Sequence, residues 1–244
     1  MDASWEEFGW ERIGHGVGRR RLPGWDATVA LVVGADGALL FDTGSTLREG
    51  AEVRAQAESL LGRRVTHVAL SHPHFDHVLG TAAFSGVQVY GAAGLAEFLR
   101  KDGAAELRAS AVRHGVAERE AAEAVDALVV PGHPVRGEWT VGLGGGREVV
   151  LAELGPAHSG HDLVAVVPGS PGSPAVVLCG DLVEESGEPQ AGEDAHPGRW
   201  PGALDRLLAL GGEDAVYVPG HGAVVDAAFV REQRGRLAGR FGVS

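Results

Sequence analysis

The chain has 244 residues, 44% of them hydrophobic and 22% charged, and carries a formal net charge of −12. That length allows one large domain with a full core or two small ones. No apolar run nears the ~18 residues that would span a bilayer. The acidic surplus argues against a phosphate backbone as partner, because that affinity comes from clustered Lys and Arg. Arg19-Arg20-Arg21 is the richest basic run and reads as a solvated edge. Cys179 stands alone, so no internal disulfide is possible and no oxidising compartment is implied. The acidic start, Met1 to Glu7, lacks the basic stretch and apolar run of a signal peptide. A soluble cytoplasmic protein is the expectation.

Along the chain, short apolar segments rich in β-branched residues and bounded by turn residues predict strands at 28–33, 38–41, 65–70, 87–90, 149–154, 163–167, 175–178 and 215–218. Thr46 with Glu49 forms a capping box, and Leu47, Val53, Ala57, Leu60 and Leu61 make an apolar stripe behind it, predicting a helix. Leu95, Phe98 and Leu99 repeat at helical spacing. The Ala-rich, Arg/Glu-rich stretch at 104–127 is also helical, and with 92–103 it reads as a helical insertion, a lid or an outer layer. Leu204, Leu207 and Leu208 mark a further helix, and Asp226 can cap a last one ending near Arg240. The Pro/Gly/Ser-rich stretch 168–174 reads as a hairpin loop and 184–194 as an acidic surface loop. No linker divides the sequence, so one domain over 1–244 is expected.

Four predicted strands run into a residue able to bind a metal: Phe41 into Asp42, Leu70 into His72, Leu178 into Asp181 and Val218 into His221. Strand ends along one rim can gather groups that lie far apart in sequence. The densest cluster is Ser71-His72-Pro73-His74-Phe75-Asp76-His77. Imidazole and carboxylate are standard zinc ligands, and chance does not readily produce His-x-His-x-Asp-His after a β-branched strand. Alternation lets His72 and His74 face one ion while Asp76 and His77 turn to another. A hydrolytic zinc keeps three protein ligands and an open position, so two ions need more residues. His158 in Gly155-Pro156-Ala157-His158-Ser159-Gly160-His161, Asp181 in Cys179-Gly180-Asp181 and His221 in Pro219-Gly220-His221-Gly222 could supply them. Taken singly, each also has an ordinary structural reading.

In this order and spacing, the motifs resemble the metallo-β-lactamase superfamily, and Phe41-Asp42-Thr43-Gly44 looks like that family's Asp-Thr-Gly element. The resemblance runs from about Thr28 to Val225. It implies an α/β (α+β) fold, a four-layer αββα sandwich of two mixed sheets with helices outside. It puts His72, His74 and His158 on one metal, Asp76, His77 and His221 on a second, and Asp181 between them. Asp42 then orients a ligand histidine or its loop. The implied cofactor is two Zn²⁺ per chain, with iron as the alternative. The implied chemistry is hydrolysis of a small carbonyl substrate (thioester, lactone, other ester or β-lactam) by a hydroxide shared between the ions, with Asp76 as the catalytic residue that orients it. The other readings are a sulfur dioxygenase-like enzyme with one iron and, behind it, a phosphodiesterase. The partner is then a small molecule, with no nucleic acid and no membrane, in a monomer or homodimer.

Several residues stay outside this set. His161 reads as a strand-start histidine or a contact behind the ligands, and His15, His67, His114 and His133 as surface or core histidines. Cys179 reads as buried packing. His196, Arg199 and Trp200 follow Asp181 closely, so His196 and Trp200 are candidates for a substrate pocket; the alternative is a loop packing Trp200 ahead of a helix. Trp25 and Trp139 could form pocket walls, although large aromatics are mostly core.

Overall fold

The computed structural model describes residues 5–243. The first sheet has seven strands in sequence order: β1 (Glu11–Gly14), β2 (Val17–Arg21), β3 (Thr28–Val33), β4 (Ala38–Phe41), β5 (His67–Ala69), β6 (Gln88–Ala92) and β7 (His133–Val135). Pairing is antiparallel from β1 to β4 and parallel from β4 to β7. The second sheet takes β8 (Glu138–Gly142), β9 (Glu148–Glu153), β10 (Leu163–Val167), β11 (Val176–Glu184) and β12 (Val216–His221) in the spatial order β12-β11-β10-β9-β8. Only β11 and β12 run parallel in it.

Alternation along the strands explains the layers. Ala30, Val32, Leu39 and Phe41 of the first sheet meet Leu151, Leu163, Ala165 and Leu178 of the second in a central core. Their neighbours Val29, Leu31, Leu40 and Val68 point outward to helices α1 (Leu47–Leu61), α3 (Leu95–Phe98), α4 (Ala104–Arg113) and α5 (Glu118–Asp126). On the far side, Val164, Val166, Val177 and Cys179 pack under α6 (Trp200–Gly211) and α7 (Ala227–Phe241). Strands buried on both faces read as continuous apolar runs, as Thr28–Val33 does. The result is helix, sheet, sheet, helix. No helix among the described residues is long and apolar enough to cross a membrane.

The predicted caps form. Thr46 Oγ1 accepts the Glu49 N–H at 3.1 Å, and Asp226 Oδ1 accepts that of Phe229 at 2.9 Å. Glu49 does not close the box on Thr46; it accepts instead from Ser45 N and Oγ at 2.8 and 2.7 Å. The 92–127 stretch supplies Leu95, Leu99, Leu107, Ala111, Ala121 and Ala124 to the outer core of the first sheet. Residues 168–174 join antiparallel β10 and β11.

Three expectations need correction. The Arg19-Arg20-Arg21 run is not simply a solvated edge: Arg19 is buried, donating Nη1 to Gly222 O at 2.8 Å while its Nε meets Glu11 at 2.7 Å. The acidic loop begins one residue late, because β11 continues through Asp181 to a buried Glu184. Finally, Trp139 is not core. It stands 56% exposed on β8, an edge strand.

Candidate metal centre

The parallel strands end on one rim, and the C-terminal edge of such strands is where α/β sheets commonly place their ligands. Past β4, Asp42 adopts φ 63°, a left-handed conformation that non-glycine residues enter at a cost. Two contacts hold it there: Oδ1 accepts Ser71 N at 2.7 Å, and Oδ2 lies 2.9 Å from His77 Nδ1. His72 follows β5, His74 precedes the single-turn helix α2 (Phe75–Val78), and Asp76 and His77 lie within it. His158 comes from the β9–β10 loop, which is folded around buried Asp162. That carboxyl accepts from Ala157 N, Ser159 N and Ser159 Oγ at 2.7–3.2 Å. Burial pushes Asp162 up to about 7, while these donors pull it down.

Asp181 reaches the rim from inside β11 because the strand is irregular there: register with β12 shifts on both sides of Gly180, whose φ is 53°. A Cβ on Gly180 would meet Ser71 Cβ at 2.8 Å, and one on Gly220 would fall on Asp181 Oδ1. Both glycines therefore let strands and side chains approach more closely than any other residue would allow.

These elements bring together side chains separated by up to 149 positions. His72, His74, His158 and Asp181 each offer a ligand atom within 4.8 Å of the others, and so do Asp76, His77 and His221. In the first group, His158 Nε2 is 3.1 Å from His74 Nδ1, and Asp181 Oδ2 is 3.6 Å from His72 Nε2 and 3.5 Å from His158 Nε2. In the second, His77 Nε2 and His221 Nε2 are 3.4 Å apart, and Asp76 Oδ2 is 3.7 and 3.5 Å from them. Asp181 touches this group too, Oδ1 to His77 at 3.2 Å and Oδ2 to His221 at 3.3 Å.

The opposite ring atoms of four of the five histidines are held, His77 Nδ1 by Asp42 as above, while His158 Nδ1 is buried without a hydrogen-bond partner. His72 Nδ1 meets Ser71 Oγ at 2.8 Å, His221 Nδ1 meets Trp25 O at 2.8 Å, and His74 Nε2 meets Asp194 Oδ2 at 3.0 Å. Among the described residues seven buried side-chain N or O atoms have no hydrogen-bond partner, and two of these are His72 Nε2 and Asp181 Oδ1. Polar atoms so buried ordinarily have one, and both face the cluster. The spacings of 3.1–3.7 Å are close to the edges, about 3.3 Å, of a tetrahedron around an ion bonded at ~2.0 Å. The donor set fits divalent metal.

Electrostatics agrees. Burial holds His72 well below its ordinary range and lowers His158 to about 4, leaving both rings neutral and able to donate a lone pair. Burial is the largest single influence on His77 and His221 as well and opposes the proton, but the carboxylates together outweigh it: Asp181, Asp76 and Asp42 at His77, and chiefly Asp181 at His221. His77 rises well above its usual value and His221 to about 9. A cation held among these carboxylates would replace the protons that His77 and His221 otherwise keep.

The sequence matches the family described as the Metallo-beta-lactamase superfamily over residues 22–221. The chain belongs to the metallo-β-lactamase superfamily. Solved structures of this fold lie alongside it. The metallo-β-lactamase FIM-1 from Pseudomonas aeruginosa, in its mono-zinc form, shares 20% identity over 95% of each chain with a TM-score of 0.67. A metallo-β-lactamase from Pontibacter korlensis shares 21% identity over 93% of this chain and 97% of its own, with a TM-score of 0.69. One from Hirschia baltica gives 16%, 93%, 96% and 0.65. At such identities the likeness is one of fold.

Of the remaining candidates, His196 is exposed on the loop after β11, where its N–H donates to Ala157 O at 2.7 Å. Trp200 is a correction. It lines no open cleft, being wholly buried, with Nε1 donating to Leu182 O at 3.0 Å and its ring edge-on to His158 at 5.2 Å between centroids. It backs His158, a candidate ligand, from behind. His161 is half-buried, its Nδ1 3.2 Å from Ala93 O. Trp25 packs edge-on against Phe75 at 5.3 Å and gives Nε1 to His114 O at 3.2 Å, joining the α4–α5 turn to the His221 side. Sequence reasoning missed Ser71, Asp162, Glu184, Asp194 and the Trp25 carbonyl. Only Asp162, four residues beyond His158 in a Ser/Gly loop, carried a local signal, that of a carboxylate folding a turn.

Proposed function

We propose that this protein is a metal-dependent hydrolase with a dinuclear zinc centre, cleaving a small carbonyl substrate: a thioester, lactone, other ester or β-lactam. The observation that carries the reading is the convergence of seven ligand-type side chains, among which His72 Nε2 and Asp181 Oδ1 are buried without a hydrogen bond. His72, His74 and His158 would hold one ion, Asp76, His77 and His221 the other, with Asp181 between them. When bound, such a pair supplies a water that ionises near neutral pH and positive charge against a developing oxyanion.

The chain's own residues do the rest. Asp76, on the same single-turn helix as His77, would accept a hydrogen bond from the attacking oxygen and hold it in line. Asp42, Ser71 and the Trp25 carbonyl fix which nitrogen of His77, His72 and His221 faces inward. Trp200 and Leu182 keep water from the back of His158. A small substrate suits the net charge of −12, and the solved structures of this fold named above are called β-lactamases, which act on one carbonyl in the proposed class.

The test is elemental analysis followed by a turnover screen of thioesters, lactones, other esters, β-lactams and phosphodiesters. Two zinc ions per chain with turnover of a carbonyl compound is the expected result. One iron per chain with oxygen consumption, or turnover of phosphodiesters alone, overturns the proposal.

A further inference from the structure

We infer that Arg19 and Asp26, on the hairpin formed by β2 and β3, are positioning residues for His221 and so for the second ion. The inference rests on the dinuclear reading above. His221 closes β12, the outermost strand of its sheet, which has only β11 beside it. Register with β11 shifts just before this point, between Gly180 and Glu184. An edge strand leaves backbone N–H and C=O groups unpaired, so pairing within the sheet does not by itself fix the ring.

The first sheet supplies the missing side. Ala27 forms an isolated antiparallel bridge with His221, and Trp25 O meets the ring at 2.8 Å. Gly222, the next residue, is held through both of its backbone groups. Asp26 Oδ2 accepts its N–H at 3.2 Å, and Arg19 Nη1 donates to its carbonyl at 2.8 Å. Glu185 and Ser186 crowd the same glycine so closely that a Cβ there would meet both at 2.6 Å. The turn that carries His221 therefore has little room to move.

Each gripping residue is itself held. Arg19 and Arg21 lie two apart on β2, hence on one face of the strand. Arg19 is buried, and its Nε meets Glu11 Oε2 at 2.7 Å. Arg21 donates Nε and Nη2 to the two carboxylate oxygens of Asp26 at 2.6 and 2.5 Å, a fork that sets the plane of the acceptor. Among the described residues, only Asp26, at φ 62°, and Asp42 combine a side chain with a positive φ. Strain of this kind gathers at functional sites. Asp42 touches the His77 ring and Asp26 the residue after His221, so both strained acids support the second group of ligand atoms.

The experiment is a zinc titration of the metal-free full-length protein against a chromophoric chelator, with the cobalt(II) absorption spectrum as second readout. Asp26→Gly removes the carboxylate and relieves the backbone at once, so any loss belongs to the side chain. It should weaken one of the two zinc ions by about 10–100-fold, leave the other in place and alter the cobalt bands. Asp26→Asn, which keeps an acceptor for the Gly222 N–H, should recover most of the affinity. Arg19→Met, which keeps an apolar stem, should reproduce the loss. In a His221→Ala background, Asp26→Gly should weaken zinc no further. Wild-type binding by Asp26→Gly or Arg19→Met overturns the inference, and so does equal loss in Asp26→Asn. A further loss in the His221→Ala background also overturns it, since a hairpin that merely braces the fold would act without that histidine. A wild-type protein that binds fewer than two zinc ions overturns the dinuclear reading and this one with it. An unaffected Asp26→Gly in a protein that binds two overturns only this one.

Discussion

Oδ2 of Asp42 lies 2.9 Å from Nδ1 of His77, and Asp42 makes that contact from a backbone φ of 63°. The same carboxylate takes the Ser71 N–H at 2.7 Å, so one strained residue ties the turn after β4 to the histidine segment after β5. Strain of this kind persists only where surroundings over-determine it. Asp42→Ala should weaken zinc at the His77 side by about 10–100-fold, read by competition titration. Unchanged binding would show that His77 is oriented without it.

His158 comes from the β9–β10 loop and Asp181 from within β11, and neither belongs to a hydrophobic core cluster. Both His158→Ala and Asp181→Ala should abolish turnover while circular dichroism keeps its native shape. Asp181→Ala should lower zinc content further than His158→Ala, since Asp181 touches both groups. Full activity in either variant would remove that residue from the site.

The metal-free protein should show a pH dependence of known sign. His221 is raised to about 9 and His77 well above its ordinary value, in each case by Asp181 acting against burial. Their stabilisation is fully present below the unfolded value of about 6.5 and is lost as pH rises through the folded value. After chelator treatment, the melting temperature should therefore fall between pH 6.5 and 9. Saturating zinc should abolish the slope, because the ligands then bind metal instead of protons. A flat profile in the metal-free protein would contradict the charge pattern described.

Cys179 is 1% exposed, and burial pushes its thiol up. Thiol reagents act on the thiolate, so labelling at pH 8 should be negligible in the native protein and should track unfolding in urea. Fast labelling without denaturant would mean that β11 opens locally.

The caps give a stability test away from the metal. Asp226→Ala removes the acceptor for Phe229 N at the start of α7, a loss of about 1 kcal/mol. For a chain of this size that lowers the melting temperature by roughly 2–4 °C, measurable by calorimetry, with zinc content unchanged.

Much of this was legible in the residues because the ligand segments sit beside strongly patterned strands. Thr28–Val33 and Leu163–Val167 are unbroken apolar runs, and His72 to His77 is a compact cluster. Strands β1 and β2 escaped notice because their sequences, ERIG and VGRRR, carry no apolar alternation. Arg19 is buried there by a partner 203 positions away, which no local pattern encodes. β7 and β8 escaped for the opposite reason, since exposed edges need little apolar surface. The supports of the histidines were hidden in the same way. Asp194 looks like any acid in a glycine-rich loop, and its meeting with His74 spans 120 positions. Trp200 was offered to the cleft on proximity in sequence to Asp181, and its indole N–H proved to be spoken for by Leu182 O.

The bond from His221 Nδ1 to the Trp25 carbonyl crosses 196 positions. The second group of ligand atoms is therefore incomplete until β12 is in place, whereas the first ends at Asp181 and does not include that strand. The His72 to His77 stretch leaves the ribosome more than a hundred residues before the rest of the cage exists, and any ion it meets early finds a weak, open site. With the ligand groups proposed above, full loading with two ions would require β12 in its final place and so would report that the whole chain has reached its native arrangement.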